Sequence, residues 1–120
     1  MSTRGIRGAT QIPRDSQEAI NAGVLELVKT MLLENSVIKD DLVSIIFTAT
    51  VDLTAQFPAA AARELGLGDV PLLCSVEIDV PDALPRVIRV LMHINSEKSL
   101  AQIKHIYLHG AAALRKDIAQ

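Results

Sequence analysis

The longest regular pattern in the chain is a helical one. Between residues 16 and 35, apolar side chains recur at spacings of three and four, as on one face of an amphipathic helix. The residues on this face are Ile20, Val24, Leu27, Val28, Met31 and Leu32. Asp15, followed three positions later by Glu18, fits a capping box, so the pattern predicts a helix from there to about Asn35.

Several shorter segments have the pattern of strands. Leu42–Thr50 is β-branched and almost continuously apolar, which predicts a buried central strand. Four other segments read as strands by the same criteria, at residues 3–10, 70–80, 85–94 and 103–108. The stretches 11–14, 51–54 and 81–84 are expected to turn or connect the chain between them.

Two further helices are short. Pro58 can occupy a first helical position, and the alanine-rich stretch 59–65 favours a helix that ends at Gly66. A last short helix is expected at 111–114. Helices mixed with strands, and no linker or repeat, predict one α/β or α+β domain over residues 1–120.

The composition indicates an oligomer. Hydrophobic residues make up 49% of the 120 residues, and the mean hydropathy is +0.29. A chain of this size buries only about 60–70% of its unfolded surface, so it has more apolar material than a single copy easily hides. We expect the excess to form an interface between copies, which predicts a homo-oligomer.

The charge and aromatic content argue against several classes of partner. The net charge is −2, the arginines are scattered, and the aromatics are Phe47, Phe57 and Tyr107 alone, so no nucleic-acid partner is predicted. No run approaches the roughly 18–20 apolar residues of a membrane span, and no apolar signal stretch follows the N-terminus. The one cysteine, Cys74, is compatible with a reducing compartment. A soluble cytoplasmic protein is therefore expected.

Two arginines and one glutamate stand in unusual surroundings. Arg7 lies between small residues, Arg89 lies in the apolar run 84–91, and Glu77 is the one carboxylate of the apolar run 70–78. A guanidinium keeps its charge, so a buried one needs an anionic partner or ligand. The three residues therefore indicate a site that binds a small dianion.

Strand alternation assigns these side chains to faces. Arg86 and Arg89 lie on opposite faces, and Arg86, nearer the strand start, is expected to reach solvent more easily. Arg89 is thus the better ligand contact. Cys74 and Glu77 also point oppositely, so a common ligand requires either a bulge or the backbone N–H of Cys74.

Each candidate also has an ordinary structural interpretation. Arg7 and Arg89 could form salt bridges, Glu77 could be an exposed strand residue, and Cys74 could be a small buried hydrophobe. In the same way, Tyr107 could be a core residue, and Arg63 and Arg115 could be solvated surface charges.

Other chemistries lack their motifs. His105 and His109 are four apart, but no cysteine or carboxylate cluster completes a metal site. No glycine-rich phosphate loop or nucleophile elbow occurs, and Cys74 has no histidine near it in sequence. What remains is binding, or catalysis by positioning and electrostatics.

Taken together, these segments resemble the small, monofunctional AroH-class chorismate mutases. The resemblance covers almost the whole chain in one order. It is carried by Arg4–Thr10, Ile46–Thr54, Phe57–Ala59 with Arg63, Val70–Cys74, Ile88–Val90, His105–Leu108 and Leu114–Arg115.

The resemblance implies a homotrimer with a pseudo-α/β-barrel, in which helices pack outside mixed sheets and active sites lie in clefts between subunits. It implies an isomerase that converts chorismate to prephenate by a Claisen rearrangement, on the route to phenylalanine and tyrosine. That reaction needs no cofactor and no metal.

The resemblance also implies roles for individual residues. Arg89 would place its cation at the ether oxygen, and Arg7 and Tyr107 would hold a substrate carboxylate. Glu77 would accept from the ring hydroxyl and orient the arginines, and Cys74 would meet the same hydroxyl. The peripheral residues would be Phe57, Ala59 and Leu73 along the wall, and Arg63 and Arg115 near the mouth.

One position departs from the family pattern. The residue after Ala59 is often basic in the family, and here it is Ala60. We expect a raised KM with kcat retained. Two other functions stay open: a trimeric small-molecule binding or regulatory module, and an imine/enamine deaminase of similar trimeric fold.

Overall fold

A single mixed sheet organises the fold. The computed structural model describes residues 1–115. Its strands are β1 (Ser2–Gln11), β2 (Leu42–Ala49), β3 (Leu72–Val76), β4 (Val87–Ser96) and β5 (Ile106–Leu108), and its α-helices are α1 (Gln17–Glu34) and α2 (Pro58–Ala62). Single 3₁₀ turns lie at Lys39–Asp41 and Leu100–Gln102, a longer 3₁₀ segment at His109–Leu114, and one wide π-type turn at Arg63–Leu67.

The strands are ordered β3-β2-β4-β1-β5. The two pairs that involve β4 are antiparallel, whereas β2–β3 and β1–β5 are parallel. The predicted mixed sheet with helices is thus confirmed. In the described part of the chain, no helix is both long and apolar enough to span a membrane.

The helices cover one face of the sheet. Along β4, Ile88, Val90, Met92 and Ile94 are at most 3% exposed, and they pack with α1 in one core. Arg89 alternates with them and is exposed on the other face. We call that other face, opposite α1, the open face.

The open face leaves one side of a predicted strand incompletely covered. The segment Leu42–Thr50 was expected to be a buried central strand; β2 does lie between β3 and β4, but Ile46 on its open face is only partly buried. Within this chain, helices cover only the side of β2 that carries Ile45 and Phe47, both of which are fully buried. A continuous apolar run in a strand therefore indicates two apolar faces. The helices of the same chain cover one of them and leave the other uncovered.

The start of α1 differs by one residue from the prediction. Ser16 is the N-cap, and its hydroxyl accepts the backbone N–H of Ala19 at 3.1 Å. Asp15 instead accepts three hydrogen bonds, from the backbone N–H and hydroxyl of Thr54 and the N–H of Ala55. Although desolvation opposes ionisation, these donors hold the pKa of Asp15 below its ordinary value. The carboxylate thereby holds the loop before α2.

The segment between β3 and β4 is less regular than predicted. β3 ends at Val76 and β4 begins at Val87, because the intervening chain turns through left-handed Asp82 (φ 66°) and Arg86 (φ 53°). Arg86 donates from its backbone N–H to Asp52 and from Nε to the carbonyl of Ile12. Arg86 is therefore half-buried and Arg89 exposed, the reverse of the expected order.

The remaining boundaries shift for local reasons. α2 gives way at Arg63 to the π-type turn, which ends through Gly66 at φ 82°. The last strand is three residues long, and a 3₁₀ segment from His109 replaces the helix predicted at 111–114. The predicted domain extends to residue 120, and its last five positions lie outside the described residues.

Candidate active site

The strand register places the predicted site residues Arg89 and Tyr107 on the open face. Across the sheet, Thr48 is opposite Arg89, Arg89 is opposite Ala9, and Ala9 is opposite Tyr107. Residues directly opposite each other share a face. The small side chain of Ala9 therefore separates Arg89 from Tyr107, and it is only 1% exposed because larger neighbouring groups cover it.

A second row lies beside the first. Leu91 is opposite both Arg7 and Ile46, and Ile46 is opposite Leu73. Arg7 is exposed, as are the apolar side chains of Leu91 (37%) and Leu73 (61%). The open face thus carries cationic side chains next to exposed apolar side chains.

Glu77 links the end of β3 to Arg89. Its backbone N–H donates to the carbonyl of Ala49 at 3.0 Å, which extends the β2–β3 pairing by one residue. Its carboxylate accepts the Thr48 hydroxyl at 2.7 Å through Oε2 and the Nε–H of Arg89 at 3.1 Å through Oε1. The Glu77 side chain is 16% exposed, so the ion pair is anchored on a largely buried carboxylate.

This ion pair leaves part of the guanidinium unused. The side chain of Arg89 is 48% exposed. Within residues 1–115, its terminal nitrogens donate to no protein group, since Nε makes its only hydrogen bond. Glu77 therefore fixes the direction of the side chain while the fork of terminal N–H groups stays free for a ligand.

Tyr107 lies within the field of three arginines. Partial burial raises the pKa of the Tyr107 hydroxyl, and the positive charges of Arg7, Arg89 and Arg115 oppose that rise. The hydroxyl is thus protonated at neutral pH and can donate to an anion. The same electrostatic coupling shows that the fold brings these four predicted residues together.

His105 belongs to this cluster, although sequence analysis treated it as a weak metal-ligand candidate. Its Nδ1 accepts the backbone N–H of Arg7 at 2.9 Å. Burial and the nearby Arg7 lower the pKa of His105. His109, predicted to share its face, instead pairs with Glu26 at 2.8 Å, and no group of three metal-ligating side chains occurs in the described chain.

Several other predicted residues lie near the opposite edge of the sheet, at β3. A cavity of about 490 Å³ lies between β3 and the loop before α2, and both Phe57 and Cys74 line it. Phe57 is 70% exposed, whereas Ala59 is 3% exposed and belongs to the core. Arg63 is exposed at the end of α2.

The register explains how Cys74 can act at this edge. Cys74 is opposite Phe47, so its side chain faces the helices and packs against the core. The bonds from Ile45 N–H to Pro71 O and from Glu77 N–H to Ala49 O direct the odd-numbered residues of β3 toward β2. The backbone N–H of Cys74 therefore points outward, along an edge strand that has no further partner in the described chain.

Cys74 and Tyr107 are too far apart for one small ligand to contact both. β3 and β5 are the two edge strands, and four strand spacings of about 4.8 Å put them roughly 19 Å apart. The β3 edge carries Cys74, with Phe57 beside it, whereas Tyr107 lies on β5. One copy of the chain does not bring all of the predicted residues around one site.

Comparison with known proteins gives a consistent family. Residues 3–118 match the family model for chorismate mutase type I. Chorismate mutase AroH of Thermus thermophilus is 46% identical over 116 residues, which is 96% of this chain and 95% of that protein. The AroH chorismate mutase of Bacillus subtilis is 41% identical over 120 residues, 99% and 94% of the two chains. A chorismate mutase structure from Clostridium thermocellum superposes with a TM-score of 0.91 at 47% identity, covering 92% of this chain and 99% of that one.

Proposed function

This chain belongs to the type I chorismate mutase family, and we propose that it rearranges chorismate to prephenate at a site organised by Arg89 and Glu77. The reaction is an isomerisation that serves the synthesis of phenylalanine and tyrosine. Its carbon–oxygen ether bond breaks as a new carbon–carbon bond forms within the same molecule. No base, nucleophile or redox step is needed, so the protein has to supply only conformation and electrostatics.

The geometry around Arg89 carries the proposal. Negative charge develops on the ether oxygen as its bond breaks. A fixed cation at that oxygen stabilises the transition state more than the ground state, and so raises kcat. The Glu77 carboxylate accepts the Nε–H of Arg89 at 3.1 Å and is itself held by the Thr48 hydroxyl, which donates to it at 2.7 Å. The arginine is thus oriented before substrate arrives, with its terminal nitrogens directed to the ligand.

Arg7 and Tyr107 supply the grip on the substrate carboxylates. Arg7 is the neighbouring cation on the open face, and Tyr107 offers a protonated hydroxyl from the adjacent edge strand β5. Arg115 adds positive charge from the end of the described chain. Together these groups hold the dianion in the compact conformer from which the rearrangement proceeds.

A homotrimer completes the site. We assign Phe57, Leu73, Cys74 and Arg63 of one copy to the wall and mouth of a cleft whose Arg7, Glu77, Arg89 and Tyr107 come from the next copy. Ala59, which is 3% exposed, belongs to the core and not to this wall. The roughly 19 Å between the edge strands supports this arrangement. So does the apolar surface left exposed near the β3 edge, at Leu73 (61%), Val76 (65%) and Ile78 (88%). The outward N–H of Cys74 then reaches the ring hydroxyl of chorismate.

The location of the enzyme follows from its chemistry and its cysteine. Cys74 is free and half-buried, as is usual in a reducing compartment. The substrate is a small metabolite of amino-acid synthesis. We therefore assign the enzyme to the cytoplasm.

The decisive experiment is the loss of chorismate absorbance on addition of purified, metal-free protein from a host that lacks its own mutase. Prephenate is identified by acid conversion to phenylpyruvate. We expect rapid conversion without any added cofactor. A folded trimer that binds chorismate and leaves it unchanged would overturn the proposal in favour of a binding module, and release of ammonia from an amino-acid-derived imine would indicate a deaminase.

A further inference from the structure

The pairing between β1 and β5 stops one residue short of Arg7. The two strands align from Gly8 with Ile106 to Thr10 with Leu108. His105 directly precedes this pairing. The Nδ1 of its ring accepts the backbone N–H of Arg7, in place of the backbone carbonyl that would accept it if the strand continued. A side chain thereby continues the sheet where the strand itself has ended.

This one bond connects Arg7 to the segment that carries Tyr107, the other residue that holds the substrate. The N–H it accepts belongs to Arg7, and His105 lies two residues before Tyr107. The bond therefore fixes the backbone of Arg7 relative to the start of β5. Loss of the bond frees both residues to move apart, since β5 is only three residues long.

We propose that neutral His105 is a positioning residue that holds Arg7 and Tyr107 at the spacing the dianion requires, and that its protonation releases them. This inference rests on the proposed function, because it concerns binding of the mutase substrate. Arg89 and Glu77 do not contact His105, so the effect falls on KM rather than kcat.

The chemistry of imidazole makes the bond dependent on protonation. Neutral His105 accepts at Nδ1 only as the Nε2–H tautomer, whereas the imidazolium ion has no acceptor at all. The charged and titratable groups around the ring are Arg7 on β1, Lys104 and Tyr107 on its own segment, Arg115 beyond β5, and Glu34 of α1, which shares a cavity with it. Glu34 alone among them favours the cation.

The direction of the pH effect follows from the lowered pKa. Burial and Arg7 lower the pKa of His105 below its ordinary value of 6.5. The neutral form of His105 therefore predominates at pH 6.5 and above, and the bond is lost as the pH falls through the lowered pKa. The grip should weaken only under acidic conditions.

The test compares the wild-type protein with three variants across about pH 5 to about pH 8, the range in which histidine titrates. His105→Asn keeps an acceptor near the position of Nδ1 but cannot titrate, and His105→Ala removes the acceptor. The control is His109→Asn, which removes an exposed histidine that pairs with Glu26 outside the cluster. Nitrogen-15 NMR of the imidazole reports the tautomer of His105 independently of activity.

We expect the wild-type KM to rise several-fold on acidification while kcat stays nearly constant, because the rearrangement needs no acid or base. His105→Asn should hold KM level across the range. His105→Ala should raise KM roughly 2- to 12-fold at every pH, the equivalent of one hydrogen bond. His109→Asn should reproduce the wild-type profile, and NMR should find Nδ1 unprotonated at neutral pH.

Three results would overturn the role of His105 in an active enzyme. They are a protonated Nδ1 at neutral pH, an unchanged pH profile in His105→Asn, and a KM that falls on acidification because the imidazolium attracts the dianion. If His105→Ala does not fold, the Asn variant and the NMR measurement still decide. A wild-type protein without mutase activity would instead overturn the proposed function.

Discussion

The two faces of the sheet are built from alternate residues of the same strands, yet they differ in almost every property. On the face under α1, Ile6, Phe47, Val90 and Met92 are at most 3% exposed. On the open face, the positions between them carry arginines, Thr48 and half-exposed leucines. Alternation in a strand thus lets one segment serve stability on one side and chemistry on the other.

This division predicts that changes on the two faces affect different measurements. Substitutions under α1 should change the free energy of unfolding, with little effect on catalysis. Substitutions on the open face should change catalysis, with little effect on the stability of the subunit. Three predictions test this, beginning with the largest expected effect.

Replacing Arg89 by a neutral isostere should abolish most catalysis and leave the fold intact. The side chain is 48% exposed, so the core does not depend on it. Loss of one preorganised donor costs roughly 3–4 kcal/mol in other enzymes, or about 10²–10³ in rate, and the loss of charge here should exceed that. Arg89→Lys should retain part of the activity only if its ammonium reaches the ether oxygen. Near-normal kcat with the neutral isostere would contradict the electrostatic role.

A mixing experiment extends the same prediction to the interface between copies. Arg89→Gln and Phe57→Asp each damage one of the two residue groups, and Phe57 is exposed enough (70%) to leave folding unaffected. If each site combines two copies, exchange of subunits between equal amounts of the inactive variants should restore roughly a quarter of the sites. Absence of recovery after proven exchange would mean that each site lies within one copy.

Two glycines on β1 provide a matched pair for stability. A Cβ at Gly8 would overlap the sulfur of Met31 and crowd Leu27, both fully buried on the inner face of α1. A Cβ at Gly5 would meet only Leu91 Cδ1 at 3.5 Å on the open face. We expect Gly8→Ala to lower the free energy of unfolding by about 1–3 kcal/mol. Gly5→Ala should leave it unchanged or raise it by about 0.4–1 kcal/mol.

Urea unfolding at one fixed protein concentration measures both variants, because oligomer stability depends on concentration. Equal losses in the two variants would indicate that the open face is packed as tightly as the covered one. That result would point to a close contact at Gly5 that this chain alone does not contain.

Sequence reasoning succeeded where the signal was local. The helical period of α1 and the alternation of β4 follow from neighbours a few residues apart, and the structure has both elements. Ser16 and Asp15 are equally good helix caps by residue type. Thr54, which is distant in sequence, decides between them. Its hydroxyl donates to the Asp15 carboxylate, so Asp15 binds the loop before α2 and Ser16 caps the helix.

The candidate site depends on pairings that no local pattern contains. His105 meets Arg7 across 98 positions of the sequence, and Glu77 meets Thr48 across 29. The sequence surroundings singled out Arg7, Glu77 and Arg89, the resemblance to a family added the other site residues, and the fold brings Arg7, Glu77, Arg89 and Tyr107 together. The same fold places Phe57 and Cys74 at the far edge. Local patterns along one chain carry no information about which residues meet between copies.

The smallest expected effect concerns a positive charge added at Ala60 of α2, near the β3 edge of the sheet. Ala60 is half-buried in α2, between buried Ala59 and Ala61. A lysine there can lay its stem along apolar surface and keep its ammonium in water, near the mouth of the proposed cleft. An exposed charge interaction contributes about 0.2–1 kcal/mol, so Ala60→Lys should lower KM by up to about 5-fold with kcat unchanged.

Ala60→Gln has similar bulk without the charge and should leave KM unaltered. Because the attraction is between exposed charges, the gain should shrink as salt is added. An unchanged KM in Ala60→Lys at low salt would show that this edge takes no part in attracting the dianion, and would confine substrate binding to the open face.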